Sequence, residues 1–141
     1  MLRVVLDTVV LVRCLLNRYS PWGQLIFDHA AEYELVASPE LLSEYVETIN
    51  RPELLTRYTP QAIQTLFEYL SHADIVELKS ILSVSRDPGD DMVIATAVRG
   101  GADYLVSEDK DLLDLQWVED VTIVNAREFL KILMSSSTRA A

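Results

Sequence analysis

The chain has 141 residues, of which half are apolar and 24% are charged, the composition of one ordinary globular domain. A single cysteine, Cys14, excludes an internal disulfide and a cysteine-based zinc site. No apolar run reaches the roughly 20 residues that span a bilayer, and the acid Asp7 comes too early for a signal peptide. These features predict a cytoplasmic protein with no membrane association.

The acidic residues are numerous and unevenly placed. The net charge is −10, whereas surfaces that capture nucleic acid by charge alone are normally basic. The segment 87–114 has only two basic residues, Arg99 and Lys110. Its acids are Asp87, Asp90, Asp91, Asp103, Glu108, Asp109, Asp111 and Asp114. Carboxylates that converge in a fold repel one another, and their pKa values rise unless a cation lies between them. The acidity therefore predicts a metal.

Short apolar runs alternate with segments that carry helix-start signals. Three helices open on a Ser or Thr followed by proline, and Asn125 with Glu128 forms a capping box before the last one. In chain order the predicted elements are a strand at 2–6, helices at 9–17 and 21–31, a strand at 34–37, helices at 39–50 and 60–72, a strand at 74–78, a helix at 88–99, strands at 103–106 and 121–124, and a helix at 126–134.

The alternation of strands and helices predicts an α/β fold with three layers, α/β/α, around a central parallel sheet. No repeat or linker interrupts it, so residues 1–134 are predicted to form one domain. The small, polar residues 135–141 are predicted to form a flexible C-terminal tail.

Polar residues follow two of the predicted strands directly. Asp7 and Thr8 follow the first, and Ser107 and Asp109 follow the fourth. Asp91 lies in the first turn of the 88–99 helix, whose amino end is expected at the same edge. Ligands of open α/β sheets bind outside the carboxyl ends of the strands. The three acids are therefore expected at one edge of the sheet.

Glu44 is placed by helical geometry. Steps of 100° put Leu41, Leu42, Tyr45, Val46 and Ile49 on one apolar stripe of the 39–50 helix. Glu40 and Glu47 project opposite that stripe, whereas Glu44 lies near its margin and is the acid best placed to reach a cleft. Converging carboxylates are ligands for hard divalent ions, and a pair of such ions can promote phosphodiester hydrolysis.

Four blocks of sequence, in order, resemble the PIN domain, and more narrowly its VapC-like toxin–antitoxin ribonuclease branch. The blocks are Val5-Leu6-Asp7-Thr8, the segment Ser38 to Tyr45, the segment Asp87 to Ala97, and the segment Ala102 to Leu113. Each block alone is moderately specific, but together they extend the resemblance from about Leu2 to Leu130. The domain at 1–134 is thus expected to be a PIN-like nuclease domain.

The resemblance implies a chemistry and a set of site residues. It implies a Mg²⁺- or Mn²⁺-dependent endoribonuclease, acting on RNA as the toxin of a toxin–antitoxin pair, with a small antitoxin and a homodimer as partners. The implied catalytic, metal-binding acids are Asp7, Glu44, Asp91 and Asp109. Secondary acidic or supporting residues are Asp87, Asp90, Asp111, Ser107 and Thr8.

Val9 departs from the family pattern, which usually has Asn after Asp-Thr. The missing amide would normally support the cluster through a hydrogen bond. This leaves a second hypothesis open, a catalytically weakened PIN-like module that binds RNA or a protein. Independently of Val9, the acids near Asp91 and Asp109 have a local alternative, in which they act as helix caps.

Other enzyme classes are disfavoured. A haloacid-dehalogenase-type phosphatase would carry a second Asp at the position of Val9, and four glycines in the whole chain supply neither a dinucleotide-binding loop nor a P-loop. Arg13, Arg18, Arg51 and Arg57 are candidate phosphate contacts, and Trp22 is a candidate base-stacking residue, with solvated surface and core packing as the alternatives.

Overall fold

The computed structural model describes residues 1–78 and 88–140, apart from the side chains of 88–90 and 136–140. Its strands are β1 (Leu2–Leu6), β2 (Tyr33–Ala37), β3 (Asp74–Ile75), β4 (Tyr104–Val106), β5 (Trp117–Val118) and β6 (Val121–Val124). Its helices are α1 (Thr8–Leu16), α2 (Pro21–Phe27), α3 (Pro39–Ile49), α4 (Pro52–Leu55), α5 (Pro60–Ser71), α6 (Pro88–Arg99), α7 (Lys110–Leu115) and α8 (Ala126–Ala140), with a 3₁₀ turn at Ala30–Glu32.

The strands form one sheet in the order β3-β2-β1-β4-β6-β5. All neighbouring pairs are parallel except β5 with β6, which is antiparallel. The sheet is flanked by helices, and the α/β/α fold class is confirmed. The two central strands, β1 and β4, are adjacent although about a hundred residues separate them, so their carboxyl ends meet at one edge.

Both faces of the sheet are covered at its centre. Val4, Val5 and Leu6 are consecutive in β1, so their side chains point alternately to the two faces, yet all three are fully buried. Helix α6 packs against β1, β2 and β4, and α3 packs against both α1 and α6. None of the helices in the described parts of the chain has the length and apolar character needed to cross a bilayer.

The helix-start signals act as the sequence indicates. The hydroxyls of Ser20, Ser38 and Thr59 each accept a hydrogen bond from the third backbone N–H beyond them, which caps α2, α3 and α5. The capping box of α8 is also present, because Glu128 N donates to Asn125 Oδ1 over 2.9 Å. These bonds form within four residues, which is why sequence alone locates them.

Three elements end at clearly different residues from those predicted. The helix predicted to end at Ala31 stops at Phe27, because the following residues, Ala30 and Ala31, are exposed and have no core to pack on. The strand predicted over 74–78 pairs only through Ile75, because β2 ends at its partner Ala37. The last helix continues past Met134 to Ala140, since no glycine or proline stops it, so residues 135–140 of the predicted tail are helical.

Three short elements are absent from the predicted series: α4, α7 and β5. Strand β5 has only two residues, of which Trp117 is 63% exposed, so it lacks the apolar alternation of a buried strand. Gln116 and Glu119 on either side of it have positive φ angles of 65° and 51°, unusual for residues other than glycine. Pairing with β6 and the packing of Val118 against the core hold this edge in place.

Candidate functional site

Asp7 lies at the carboxyl end of β1, in the centre of the sheet edge. Its backbone N–H donates to the Val106 carbonyl over 2.9 Å, which continues the pairing of β1 with β4 by one residue. It then caps α1, because its Oδ1 accepts from the backbone N–H of Thr8 over 2.8 Å. Its side chain is therefore fixed from both the strand and the helix, and the residue is only 8% exposed.

Ser107 connects Asp7 to Asp109. The buried Ser107 hydroxyl donates to Asp7 Oδ2 over 2.8 Å and accepts from the backbone N–H of Asp109 over 3.0 Å. Asp109 in turn caps α7, with its Oδ1 accepting from the backbone N–H of Asp111 over 2.8 Å. A chain of hydrogen bonds thus links the ends of β1 and β4. The Asp111 side chain is exposed beside it.

Glu44 reaches the same place from α3. Its Oε2 accepts a hydrogen bond from the Thr8 hydroxyl, next to Asp7. The neighbouring residue, Tyr45, is fully buried and donates its hydroxyl to the backbone carbonyl of Leu6. Two consecutive residues of α3 therefore contact two residues that flank Asp7 in the chain. Glu44 is half-buried, as expected for a residue at the margin of the apolar stripe.

The apolar stripe of α3 is narrower than predicted. Leu41, Tyr45 and Ile49 are fully buried, but Val46 is 41% exposed. The stripe therefore faces the core along one row of the helix, and Tyr45 within it makes a polar contact. The sequence shows that Tyr45 lies in the apolar stripe, but it does not show that the Tyr45 hydroxyl donates to the Leu6 carbonyl.

The charges of the neighbouring acids act on Asp7. Burial, and to a smaller extent the carboxylates of Glu44 and Asp109, raise the pKa of Asp7, while the hydrogen bonds from Ser107 and Thr8 oppose the rise. Burial and the charges of Asp7 and Glu44 also raise the pKa of Tyr45, so its hydroxyl stays protonated and remains a donor. Three of the predicted acids are therefore close enough to interact electrostatically.

Asp91 occupies the first turn of α6, as predicted, and is 7% exposed. Its helix packs against β1 and α3, the elements that carry Asp7 and Glu44. Of the secondary candidates, Asp87 lies outside the described residues, and so does the side chain of Asp90. Glu108, one of the acids of the 87–114 segment, has a structural partner, because its Oε2 accepts from the backbone N–H of Ala126 over 3.0 Å.

The donor chemistry of the cluster fits a hard divalent cation. Its side chains offer carboxylate and hydroxyl oxygens, and the excess negative charge around buried Asp7 is the imbalance that such an ion would offset. Among the side chains described, no three Asp, Glu, His or Cys groups are arranged to enclose a metal by themselves. Mg²⁺ does not need such a cage, because it usually takes one or two carboxylates and completes its shell with water and substrate phosphate.

A second polar contact, which sequence reasoning missed, joins the helices that carry Glu44 and Asp91. The Ser38 and Thr96 hydroxyls, both fully buried, lie 2.8 Å apart. Thr96 also donates to the Met92 carbonyl over 2.9 Å, and Ser38 caps α3. The caps could be read from the sequence, but a contact between residues 58 positions apart could not.

Val9 is 42% exposed on the first turn of α1. The polar support that the family pattern places at this position is absent. Asp7 is instead held by the backbone N–H of Thr8 and the hydroxyl of Ser107.

Comparison with solved structures agrees with the fold. A chain in the crystal structure of VapBC2 from Rickettsia felis, bound to a DNA fragment from its promoter, is 15% identical and superposes with a TM-score of 0.55, covering 88% of this chain and 98% of that one. PAE2754 from Pyrobaculum aerophilum is also 15% identical with a TM-score of 0.55, covering 95% of this chain and 90% of that one. At 15% identity, these similarities show that the chain shares its fold with both structures, and they show nothing finer.

No curated protein sequence matches the chain significantly. The family model of the PIN domain, however, matches residues 3–111, which is well over half of the chain and includes β1, α3, α6 and the Ser107–Asp109 segment. The chain therefore belongs to the PIN domain family.

Proposed function

We propose that this protein is a divalent-metal-dependent endoribonuclease of the VapC-like type, which hydrolyses RNA phosphodiester bonds. PIN domains are generally nucleases and typically use divalent metal ions. The observation that carries the proposal is the buried Asp7 carboxylate with the charges of Glu44 and Asp109 acting on it at the edge of the sheet. Residues 1–134 would form the nuclease domain.

The residues that would hold Mg²⁺ or Mn²⁺ are Asp7, Glu44, Asp91 and Asp109, with Asp87, Asp90 and Asp111 as secondary acids. When bound, such an ion supplies positive charge for the phosphate oxygens and activates a water for attack on phosphorus. Ser107 would fix the positions of Asp7 and Asp109 relative to each other, and Thr8 would orient Glu44. The Ser107 hydroxyl donates to Asp7 Oδ2, which opposes the rise in the pKa of Asp7, and the Thr8 hydroxyl donates to Glu44 Oε2.

The toxin assignment is the second part of the proposal. The Rickettsia felis chain with the same fold belongs to a VapBC2 complex, so the partner proposed here is a small antitoxin protein, and the proposed assembly includes a homodimer in the cytoplasm. A small DNA-binding protein encoded next to this one would support the assignment. Loss of ribonuclease activity on mixing the two proteins would test it directly.

The enzyme activity is tested with labelled single-stranded RNA and Mg²⁺ or Mn²⁺. The wild-type protein is expected to cleave the RNA, EDTA is expected to stop cleavage, and Asp7→Asn is expected to abolish it while the circular dichroism spectrum stays unchanged. Asp114→Asn, a change on an exposed side chain of α7, serves as the control for loss of one negative charge. Cleavage by Asp7→Asn at the wild-type rate would refute the assignment of the site.

Exposed Val9 favours one alternative, a catalytically weakened PIN-like module that binds RNA or a protein. If the missing amide is the reason for weak activity, Val9→Asn should raise metal affinity or cleavage by about tenfold, the usual range for a supporting residue of a metal site. If neither wild type nor Val9→Asn cleaves RNA or binds either metal, the binding module is the better description.

A further inference from the structure

A cationic and aromatic surface, here called the α1–α2 patch, is formed by Arg13, Arg18, Tyr19, Trp22 and Phe27 at the carboxyl end of α1 and along α2. We propose that this patch binds single-stranded RNA and leads the strand towards the acidic site. The inference extends the proposed function, because it names the surface that holds the substrate.

The arginines of the patch are held over aromatic rings. The Arg13 guanidinium carbon lies 4.8 Å from the centre of the Trp22 ring. That of Arg18 lies 4.9 Å from the Phe27 ring and 5.6 Å from the Tyr19 ring. Such stacking orients a guanidinium while leaving its N–H groups able to bind phosphate. Arg18 is about half exposed and also pairs with Asp28 over 3.6 Å.

Tyr19 distinguishes this surface from a simple patch of charge. It is 81% exposed, although an aromatic ring of this size is usually at least partly covered. An exposed ring beside arginines is the arrangement on which unpaired bases stack, and this stacking is tolerant of sequence. Bases in a duplex have no free faces to offer, so the arrangement favours a single strand.

Helix α1 runs from the acidic site to the patch. The helix begins beside Asp7, and its solvent-facing row contains Val9 and, one turn later, Arg13. Six residues of helix separate Asp7 from Arg13, a rise of about 9 Å, so a short stretch of RNA would span the two. A cavity of about 520 Å³ lies beside the patch, and its lining includes Arg18, Phe27 and Arg57.

The other cations of the described surface are of two kinds. Arg51, Arg57, Arg127 and Lys131 are exposed, and Arg57 also lines the cavity beside the patch. Arg3 pairs with Glu34 and Asp74, Arg99 is bonded to the Glu77 carbonyl, and Lys110 stands between two aspartates in the chain. The patch differs from these residues because it combines positive charge with aromatic rings on which bases can stack. In a protein with a net charge of −10, this positive charge lies at the other end of α1 from a site that would repel RNA in the absence of a cation.

The experiment measures the binding of a short, labelled single-stranded RNA by fluorescence anisotropy in EDTA, so that cleavage does not interfere. The double variant Arg13→Gln/Arg18→Gln is expected to bind at least about tenfold more weakly. The slope of log affinity against log salt concentration is expected to fall by about 1.4, the value for two phosphate contacts on a single strand. Tyr19→Ala is expected to bind at least about fivefold more weakly. The control is Arg127→Gln/Lys131→Gln, which removes the same charge from exposed positions of α8 and is expected to bind almost as the wild type does.

Four results would overturn the proposal: no binding by the wild type, an equal loss in the α8 control, unchanged binding by Tyr19→Ala, or competition by polyglutamate of matched charge as effective as that of RNA. The last would identify an anionic protein as the ligand. Tyr19→Ala changes an exposed side chain and tests the patch even if the double variant folds poorly. Binding through the patch without cleavage in Mg²⁺ or Mn²⁺ would support the patch and refute the nuclease, whereas cleavage with patch-independent binding would do the reverse.

Discussion

Asp7 combines a charge, near-complete burial and a capping role in one residue. Its position after a strand could be read from the sequence, but its 8% exposure and its hydrogen bond to Ser107 arise from the pairing of β1 with β4. A carboxylate in this position is unfavourable in its charged form unless something compensates it. The residue is therefore expected to contribute to metal binding at the expense of stability.

The stability of the metal-free protein tests this expectation. Burial raises the pKa of Asp7 above its ordinary value of 3.8. The stability that protonated Asp7 contributes is therefore complete below pH 3.8 and is lost as the pH rises through the higher pKa of the folded state. Asp7→Asn, which still caps α1, should therefore be more stable than the wild type at neutral pH by on the order of 1 kcal/mol. Urea unfolding in EDTA measures the difference.

The pH profile provides the check on this prediction. The advantage of Asp7→Asn should shrink as the pH falls towards 3.8, because the wild-type carboxyl then becomes neutral as well. Asp111→Asn, at an exposed position of α7, is the control and should show no such advantage. An Asp7→Asn variant that is less stable than the wild type throughout would show that the charge is compensated within the fold.

At the scale of the elements, the site depends on how α3 is attached to β1. Tyr45 donates to the Leu6 carbonyl and Glu44 accepts from Thr8, so adjacent residues of one helix hold both sides of Asp7. The α3 stripe indicated that Glu44 could reach a cleft, but it did not indicate which strand formed that cleft. That contact depends on the tertiary fold.

Tyr45→Phe removes the hydroxyl and keeps the packing of the ring. We expect a loss of about 1–2 kcal/mol in the free energy of unfolding, because a buried carbonyl loses its donor, and metal affinity reduced several-fold because Glu44 is no longer held in place. Tyr58→Phe is a matched control, since the Tyr58 hydroxyl is buried and has no hydrogen-bond partner among the described residues. It should leave stability unchanged or raise it. Equal losses in the two variants would contradict a specific role for Tyr45.

Ser38 and Thr96 tie α3 to α6 in the same way. A double-mutant cycle with Ser38→Ala and Thr96→Val is expected to give a coupling energy of about 0.5–2 kcal/mol, because each hydroxyl loses its partner when the other is removed. Chemical denaturation of the four proteins measures it. Additive losses would mean that the two hydroxyls act separately, Ser38 as a cap and Thr96 on its own helix.

At the scale of the whole molecule, the dominant property is the net charge of −10. The described cations with acidic partners lie at the surface, whereas the interacting carboxylates of Asp7, Glu44 and Asp109 converge at the sheet edge. Two kinds of stabilisation by cations are therefore expected, a general effect of salt on self-repulsion and a specific effect of a divalent ion at the edge.

A thermal unfolding experiment separates the two effects. Mg²⁺ or Mn²⁺ at saturating concentration should raise the Tm of the wild type by several degrees beyond NaCl of equal ionic strength, because a ligand at about 100 times its Kd stabilises the folded state by about 2.7 kcal/mol. Asp7→Asn should respond to the divalent ion only as it responds to NaCl. The same response in both proteins would place the bound ion elsewhere.

Local sequence determined a large part of this protein. The strand before Asp7, the Ser or Thr caps of α2, α3 and α5, and the capping box of α8 all depend on residues within four positions of one another, and the sequence shows them directly. The alternation of these elements was enough for the fold class. The carboxyl ends of the strands then indicated where acids would collect.

The tertiary structure alone decided how the site is assembled. Ser107 meets Asp7 across 100 residues of chain and Thr8 meets Glu44 across 36, so both contacts depend on strand order and helix packing rather than on local pattern. The same holds for β5, whose two residues form a strand only because β6 lies beside them. Sequence periodicity records which face of an element is apolar, whereas the partner that covers that face depends on how the whole chain closes.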